Sequence, residues 1–270
     1  MPPAIVLTPN LAGHDGISRL ARLVVSAFDE VTVVALHEPA AMTAFERAEV
    51  RGADGRTSRF VAAAVRAAAT ADPQTTVVAV HLHLAPAALA FTARGASLTT
   101  MLCGIEAWKP LTWIQRAALD RADRLIAISA HTRNRFREVN GQFAGRTIEI
   151  CHLGVEATPV GVGGSDRHPA ALIVGRMASD ERYKGHDLLL DVWADVVRAV
   201  PGAALRVVGD GDDRPRLEHK ARALGLNGQI AFLGRVDDDS LAREYERCTA
   251  FVMPSRYEPC GIGQMMAMRY

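Results

Sequence analysis

The chain has 270 residues, 49% of them hydrophobic and 23% charged, with a formal net charge of +1. That is the balance of a globular protein with room for two domains, and a charge so near zero makes no global case for nucleic-acid binding. No apolar run approaches the ~20 residues a membrane span needs, the N-terminus lacks a signal-peptide pattern, and Cys103, Cys151, Cys248 and Cys260 are too scattered for a disulfide framework or a zinc site, so a reduced, cytoplasmic protein is expected.

From the N-terminus, short apolar runs alternate with helical patterns. Strands are predicted at Ala4–Thr8, Val31–Leu36, Thr76–Val80, Ser97–Leu102, Arg124–Ile128 and Thr147–Ile150, then at Ala170–Val174, Ala204–Val208, Gln229–Leu233 and Ala250–Met253. These runs are rich in Val, Ile and Leu without strict alternation, as strands covered on both faces should be. The helix after the first strand should bury Leu20, Leu23, Val24 and Phe28. An alanine-rich helix is expected near Val61–Ala71. The clearest helix is Asp187–Val200, where Leu189, Trp193, Val196, Val197 and Val200 recur at helical spacing before a Pro201-Gly202 stop.

Alternating strands and helices predict an α/β fold with parallel, doubly wound sheets. Gly161-Val162-Gly163-Gly164-Ser165-Asp166 reads as a linker. It separates a Rossmann-like domain at 1–160, through a linker at 161–168, from a second at 169–270. The chain stops at Tyr270 inside an apolar helix pattern holding Met265, Met266 and Met268, with no capping signal, so a fragment with an incomplete second domain is expected.

Candidate chemistry lies in the loops after strands, where open α/β sheets bind ligands. Gly13-His14-Asp15-Gly16-Ile17-Ser18-Arg19 leads into a helix whose N-terminus would offer amides and positive dipole to an anion, although two glycines in such a turn more often serve geometry alone. Gly175-Arg176 follows a strand and Lys184-Gly185-His186-Asp187 opens the next helix, so the two cations can converge on a diphosphate. Val208-Gly209-Asp210-Gly211 ends a strand in a tight turn. The acidic runs Asp210, Asp212, Asp213 and Asp237-Asp238-Asp239 read as solvated helix starts, not metal sites. His81 and His83 share a face at a strand end without a marked third ligand, which favours a polar pocket wall over zinc.

Taken in order, Gly175-Arg176, Lys184-Gly185-His186-Asp187, Val208-Gly209-Asp210-Gly211, Phe232-Leu233-Gly234-Arg235-Val236 and Pro254-Ser255-Arg256-Tyr257-Glu258 resemble the donor half of a retaining GT-B glycosyltransferase of family 4 type. The Gly16 loop, His81, Gly104-Ile105-Glu106-Ala107-Trp108 and Ala122–Ser129 add matches in the first half. The resemblance implies two Rossmann-like domains facing across a cleft and transfer of a sugar from a nucleotide-diphosphate donor to an acceptor hydroxyl with retention. It implies that Arg176, Lys184 and the Gly16 loop hold the diphosphate, and that Glu258 and His81 lie at the reacting sugar. Gly209, Arg235, Val236, Cys260, Gly261 and Ile262 would line the donor sugar and nucleotide.

No metal or other cofactor is implied, because the cations can stabilise the leaving diphosphate. With a single carboxylate at the centre, a front-face route is favoured over the two-carboxylate double displacement. The partners implied are a nucleotide sugar and a glycan, lipid or small-molecule acceptor, the lipid case bringing peripheral membrane association. Met266 departs from the pattern, standing where the family has a second glutamate, and Glu258-Pro259-Cys260-Gly261 is closer to glycogen and starch synthases of family 5. The alternative is a non-catalytic relative that binds nucleotide sugar or a partner subunit, with a hydrolase or epimerase as a third option.

Overall fold

The computed structural model describes residues 3–13, 15–155 and 169–270; His14 and the predicted linker at 161–168 lie outside them. The chain divides into two compact units, Met1–Leu153 and Gly154–Tyr270.

The first unit is built on a sheet of eight strands: β1 (Ala4–Thr8), β2 (Val31–Ala35), β3 (Ala44–Phe45), β4 (Ala48–Gly52), β5 (Thr76–Ala79), β6 (Ser97–Leu102), β7 (Arg124–Ala127) and β8 (Glu149–Ile150), in the order β3-β4-β2-β1-β5-β6-β7-β8. Every neighbouring pair is parallel except β3 with β4. The helices are α1 (Gly16–Ser26), α2 (Thr57–Ala68), α3 (Ala85–Thr92), α4 (Trp113–Asp120) and α5 (Ala130–Val139). Strand β1 is buried at every position, which is why its sequence shows no alternation. The core joins it to α2 through Phe60, Ala63, Ala64 and Ala67, where alanines let helix and sheet approach closely, and to α3 through Phe91.

Two expectations for this unit need correction. The β3–β4 hairpin was not foreseen: Ala48–Gly52 is only half buried, and its turn uses Glu46 at φ 52 in place of the Asn or Gly that signals a tight hairpin. Helix α1 buries Ser18, Leu20, Ala21 and Val25, while Leu23 is exposed, so its inner face is rotated from the one expected.

The second unit carries a four-stranded parallel sheet of β9 (Ala170–Val174), β10 (Ala204–Val208), β11 (Ile230–Gly234) and β12 (Ala250–Phe251), ordered β11-β10-β9-β12. Its helices are α6 (His186–Ala199), α7 (Arg214–Ala223), α8 (Asp238–Arg247) and α9 (Ile262–Ala267). Ile173, Leu205 and Val207 pack with Leu189 and Trp193 of α6 and Leu217 of α7. Leu172 and Val208 pack instead with Tyr245 of α8 and Met266 of α9. Adjacent strand residues thus enter different cores, the signature of a doubly wound sheet. Among the described residues no helix is long and apolar enough to cross a membrane.

Candidate functional site

In the second unit the strand ends are tied backbone to backbone. Gly175 donates its amide to Val208 at 2.9 Å, Gly209 to Gly234 at 2.8 Å and Met177 to Asp210 at 2.9 Å. Such closeness requires glycine at 209. Its φ is +131°, and a Cβ there would stand 2.0 Å from the Gly175 carbonyl oxygen. Gly185 does the same for the next segment. At φ +87° it lies where a Cβ would meet the Pro254 carbonyl oxygen at 2.5 Å, so Lys184 and His186 are held beside the loop from Pro254 to Glu258. Arg256 strengthens that join by donating its amide to the Tyr183 carbonyl at 2.9 Å.

The result is a cluster at the carboxyl end of β9 that brings Arg176 and Lys184 together, with the loop bearing Glu258 joined to it through Tyr183. Its centre is a residue the sequence reading passed over. Glu181 accepts from Nε of Arg176 at 3.1 Å, again from its Nη2, and from Nζ of Lys184 at 2.9 Å. Arg176 is the exposed partner, at 64%, whereas Lys184 and Glu181 are 17% and 14% exposed. Burial pushes the Glu181 carboxyl up, and the hydrogen bonds from both cations outweigh it, so Glu181 is held below its ordinary value and stays charged.

Tyr183 is pushed up to about 12 by burial first and then by the carboxylates of Glu181 and Glu258, so Glu258 acts on the same group from the other loop. Tyr183 stacks on Tyr257 with ring centres 4.7 Å apart. Glu258 accepts from Ser255 Oγ at 3.3 Å. His186 is lowered to about 4 by burial and by its neighbour Lys184, so its ring is neutral.

The turn bearing Glu181 and Lys184, a 3₁₀ turn over Ser179–Lys184, is clamped from α7 and the residues before it. Asp212 accepts from the Ser179 amide at 2.9 Å and its hydroxyl at 2.5 Å. Asp213 accepts from Arg182 at 3.0 and 2.8 Å and from Arg216 at 2.7 and 2.6 Å. Arg216 continues to Asp187 on α6 at 2.8 and 2.5 Å. This corrects the expectation that the 210–213 acidic run is solvated: Asp213 is only 5% exposed and serves as the hub of a salt-bridge network.

The other predicted donor residues fall nearby or at the edges. Arg235 is exposed just past β11, and the Val236 side chain packs on the Leu172–Val208 core. Cys260 is half-buried, Gly261 adopts φ 69° as the cap of α9, and Ile262 begins that helix. Met266 points into the core, so its side chain is spent on packing.

The first unit holds Gly16 and His81. The N-terminus of α1 is already capped by its own acid, since Asp15 Oδ1 accepts from the amides of Ile17 at 2.9 Å and Ser18 at 3.1 Å. Buried Glu38 takes the Leu11 and Ala12 amides at 2.7 and 2.9 Å, and Arg22 holds the Leu11 and Gly13 carbonyls, both at 2.7 Å. These amides are therefore engaged within the loop. His81 accepts the His83 amide at its Nδ1, at 3.3 Å, and its Nε2 lies 3.9 Å from Glu106. Glu106 in turn accepts the amides of Cys103 and Gly104 at 2.8 and 2.9 Å. Burial lowers His81, with the Glu106 charge opposing, so the ring is neutral near pH 7.

Comparison with known proteins gives the fold and, for the second unit, sequence likenesses. The fold is α/β of the GT-B glycosyltransferase type. Residues 164–270 match the family model described as glycosyl transferases group 1. The glycogen synthase of Elusimicrobium minutum (strain Pei191) is 35% identical over 138 residues, covering 50% of this chain and 25% of that protein. The mannosylfructose-phosphate synthase of Agrobacterium fabrum (strain C58 / ATCC 33970) is 33% identical over 105 residues, 36% of this chain and 22% of that one. The chain thus spans about a quarter of the length of these curated relatives. Among solved structures, Anabaena HepE in complex with UDP and glucose superposes with a TM-score of 0.77 at 19% identity, covering 100% of this chain and 78% of that one. Sucrose-phosphate synthase from Thermosynechococcus elongatus does so with a TM-score of 0.77 at 18% identity, over 99% and 79%.

Proposed function

We propose that this chain binds a nucleoside-diphosphate sugar in its second unit and belongs to a glycosyltransferase that moves the sugar to an acceptor hydroxyl with retention of configuration, as family 4 enzymes do. The observation that carries this reading is the convergence of Arg176 and Lys184 at the carboxyl end of β9, beside the loop that bears Glu258, on residues 164–270 that match the group 1 family model. Arg176 and Lys184 would hold the diphosphate and stabilise the charge that grows on it as the bond to the sugar lengthens. Glu258 would face the sugar as its anomeric carbon gains positive character. With one carboxylate in that position, the leaving phosphate is the base that receives the acceptor proton, and no covalent sugar–enzyme intermediate is formed. We assign no metal to this chemistry, since Arg176 and Lys184 would supply the positive charge at the leaving group.

UDP-glucose is the first donor to try, because the similar HepE structure was solved with UDP and glucose, and a glycan is the first acceptor. The test is a thermal-shift screen of the chain against UDP, GDP, ADP and their hexose conjugates. Saturable stabilisation by one nucleoside-diphosphate family, lost in Lys184→Ala, supports the reading. A flat response to every compound refutes it.

A further inference from the structure

Between the two cations sits a carboxylate whose charge opposes anion binding. Glu181 is bonded to both Arg176 and Lys184, and the three charges sum to +1, two cations less one carboxylate. The cations are not used up by it. A guanidinium has five N–H donors and an ammonium three, and Glu181 occupies Nε and Nη2 of the first and one bond of the second. Nor does the turn depend on Glu181 for its position. Ser179 is fixed to Asp212 and Arg182 to Asp213, on either side of it in sequence. Glu181 therefore acts on the charge and aim of its two partners more than on the path of the chain.

Transfer changes the charge that this pair must hold. The bond between the anomeric carbon and the terminal phosphate oxygen breaks, and the oxygen keeps the electron pair. The acceptor oxygen bonds to that carbon and its proton passes to the phosphate and on to solvent. A terminal phosphate has a second pKa of about 6, so the released nucleoside diphosphate carries up to one more negative charge than the donor did.

Building on the donor-site reading above, we propose that Glu181 is a positioning residue that sets the charge of the Arg176–Lys184 pair so that the more negative product is favoured less, relative to the donor, than two bare cations would favour it. Its consequence is easier product release.

Calorimetry on the full chain tests this, with UDP and UDP-glucose as probes, or the GDP or ADP pair where the screen selects it. A unit charge about 6 Å from the extra product charge, at an effective dielectric between protein surface and water, changes relative affinity about threefold to tenfold. In Glu181→Gln, the preference for UDP over UDP-glucose should rise by that factor and the rise should shrink at high salt, while Glu181→Asp keeps the wild-type preference. Glu181→Ser carries the same expectation as Gln and replaces it should Gln fail to fold. An unchanged or reduced preference for UDP in the charge-removing variants overturns the proposal while leaving donor binding intact. A wild-type chain that binds no nucleoside diphosphate overturns the donor reading itself, and this inference with it.

Discussion

Asp213→Asn removes one charge at nearly constant volume from the hub that holds the Glu181–Lys184 turn. Asp213 is 5% exposed and accepts four hydrogen bonds from Arg182 and Arg216, so the carboxylate loses its solvation and depends on its partners. Breaking a fully buried pair costs about 3–5 kcal/mol. Arg182 and Arg216, with side chains 53% and 37% exposed, can turn to water when unpaired, and Arg216 keeps Asp187. We therefore expect a loss of about 2–3 kcal/mol, which for a unit of this size lowers Tm by roughly 6–15 °C. Thermal unfolding followed by circular dichroism at pH 7 is the assay. The pH dependence supplies a second signature. Hydrogen bonds from Arg216, the largest influence, and from Arg182 overcome burial and hold Asp213 below the ordinary aspartate range. A depressed carboxylate contributes stability in full above its unfolded value of about 4 and loses it as pH falls toward the folded value. The gap between wild type and variant should therefore narrow progressively as pH falls below about 5. A variant within 1–2 °C of wild type at pH 7, on the scale of roughly 3–5 °C per kcal/mol, would show that the network is peripheral to the stability of the second unit.

Lys184→Ala and Arg176→Ala should each weaken nucleoside-diphosphate binding by about 1–3 kcal/mol, with the better-buried Lys184 the more costly, as calorimetry will report; unchanged affinity in both would remove them from the site. In an assay where transfer is observed, Glu258→Gln should lower turnover far more than donor affinity and leave Tm nearly unchanged, since Ser255 is the one bonding partner described for its side chain; equal losses in Tm and turnover would make it a structural residue. Gly209→Ala should cost at least about 3 kcal/mol, from a left-handed φ and a backbone clash, whereas Gly202→Ala, also at positive φ but facing open space, should cost about 1–2 kcal/mol. Urea titration of the pair separates clash from backbone strain.

Much of this protein is written locally. Buried parallel strands declare themselves as runs of Val, Ile and Leu, so β1, β6, β9 and β10 fall on the predicted residues. Helix α6 was legible because its apolar spacing ends at a Pro-Gly stop. Arg176 and Lys184 could be chosen as partners because each lies next to a glycine at a strand end or helix start, where backbone geometry limits the options.

What tertiary structure alone decided is which charges meet. Glu181 stands three residues before Lys184, a spacing that permits an ion pair on a helical turn, but nothing local says that Arg176 reaches back across the strand end to share it. Asp213 looked like its solvated neighbours Asp210 and Asp212 until α7 packed against the Ser179–Lys184 turn and removed its water. Met266 likewise fills a core position that exists only once α9 lies on the sheet. Sequence fixes period, turn chemistry and the identity of each charge, because these are properties of neighbours along the chain. Pairing and burial depend on distances between residues far apart in sequence, and only packing sets those.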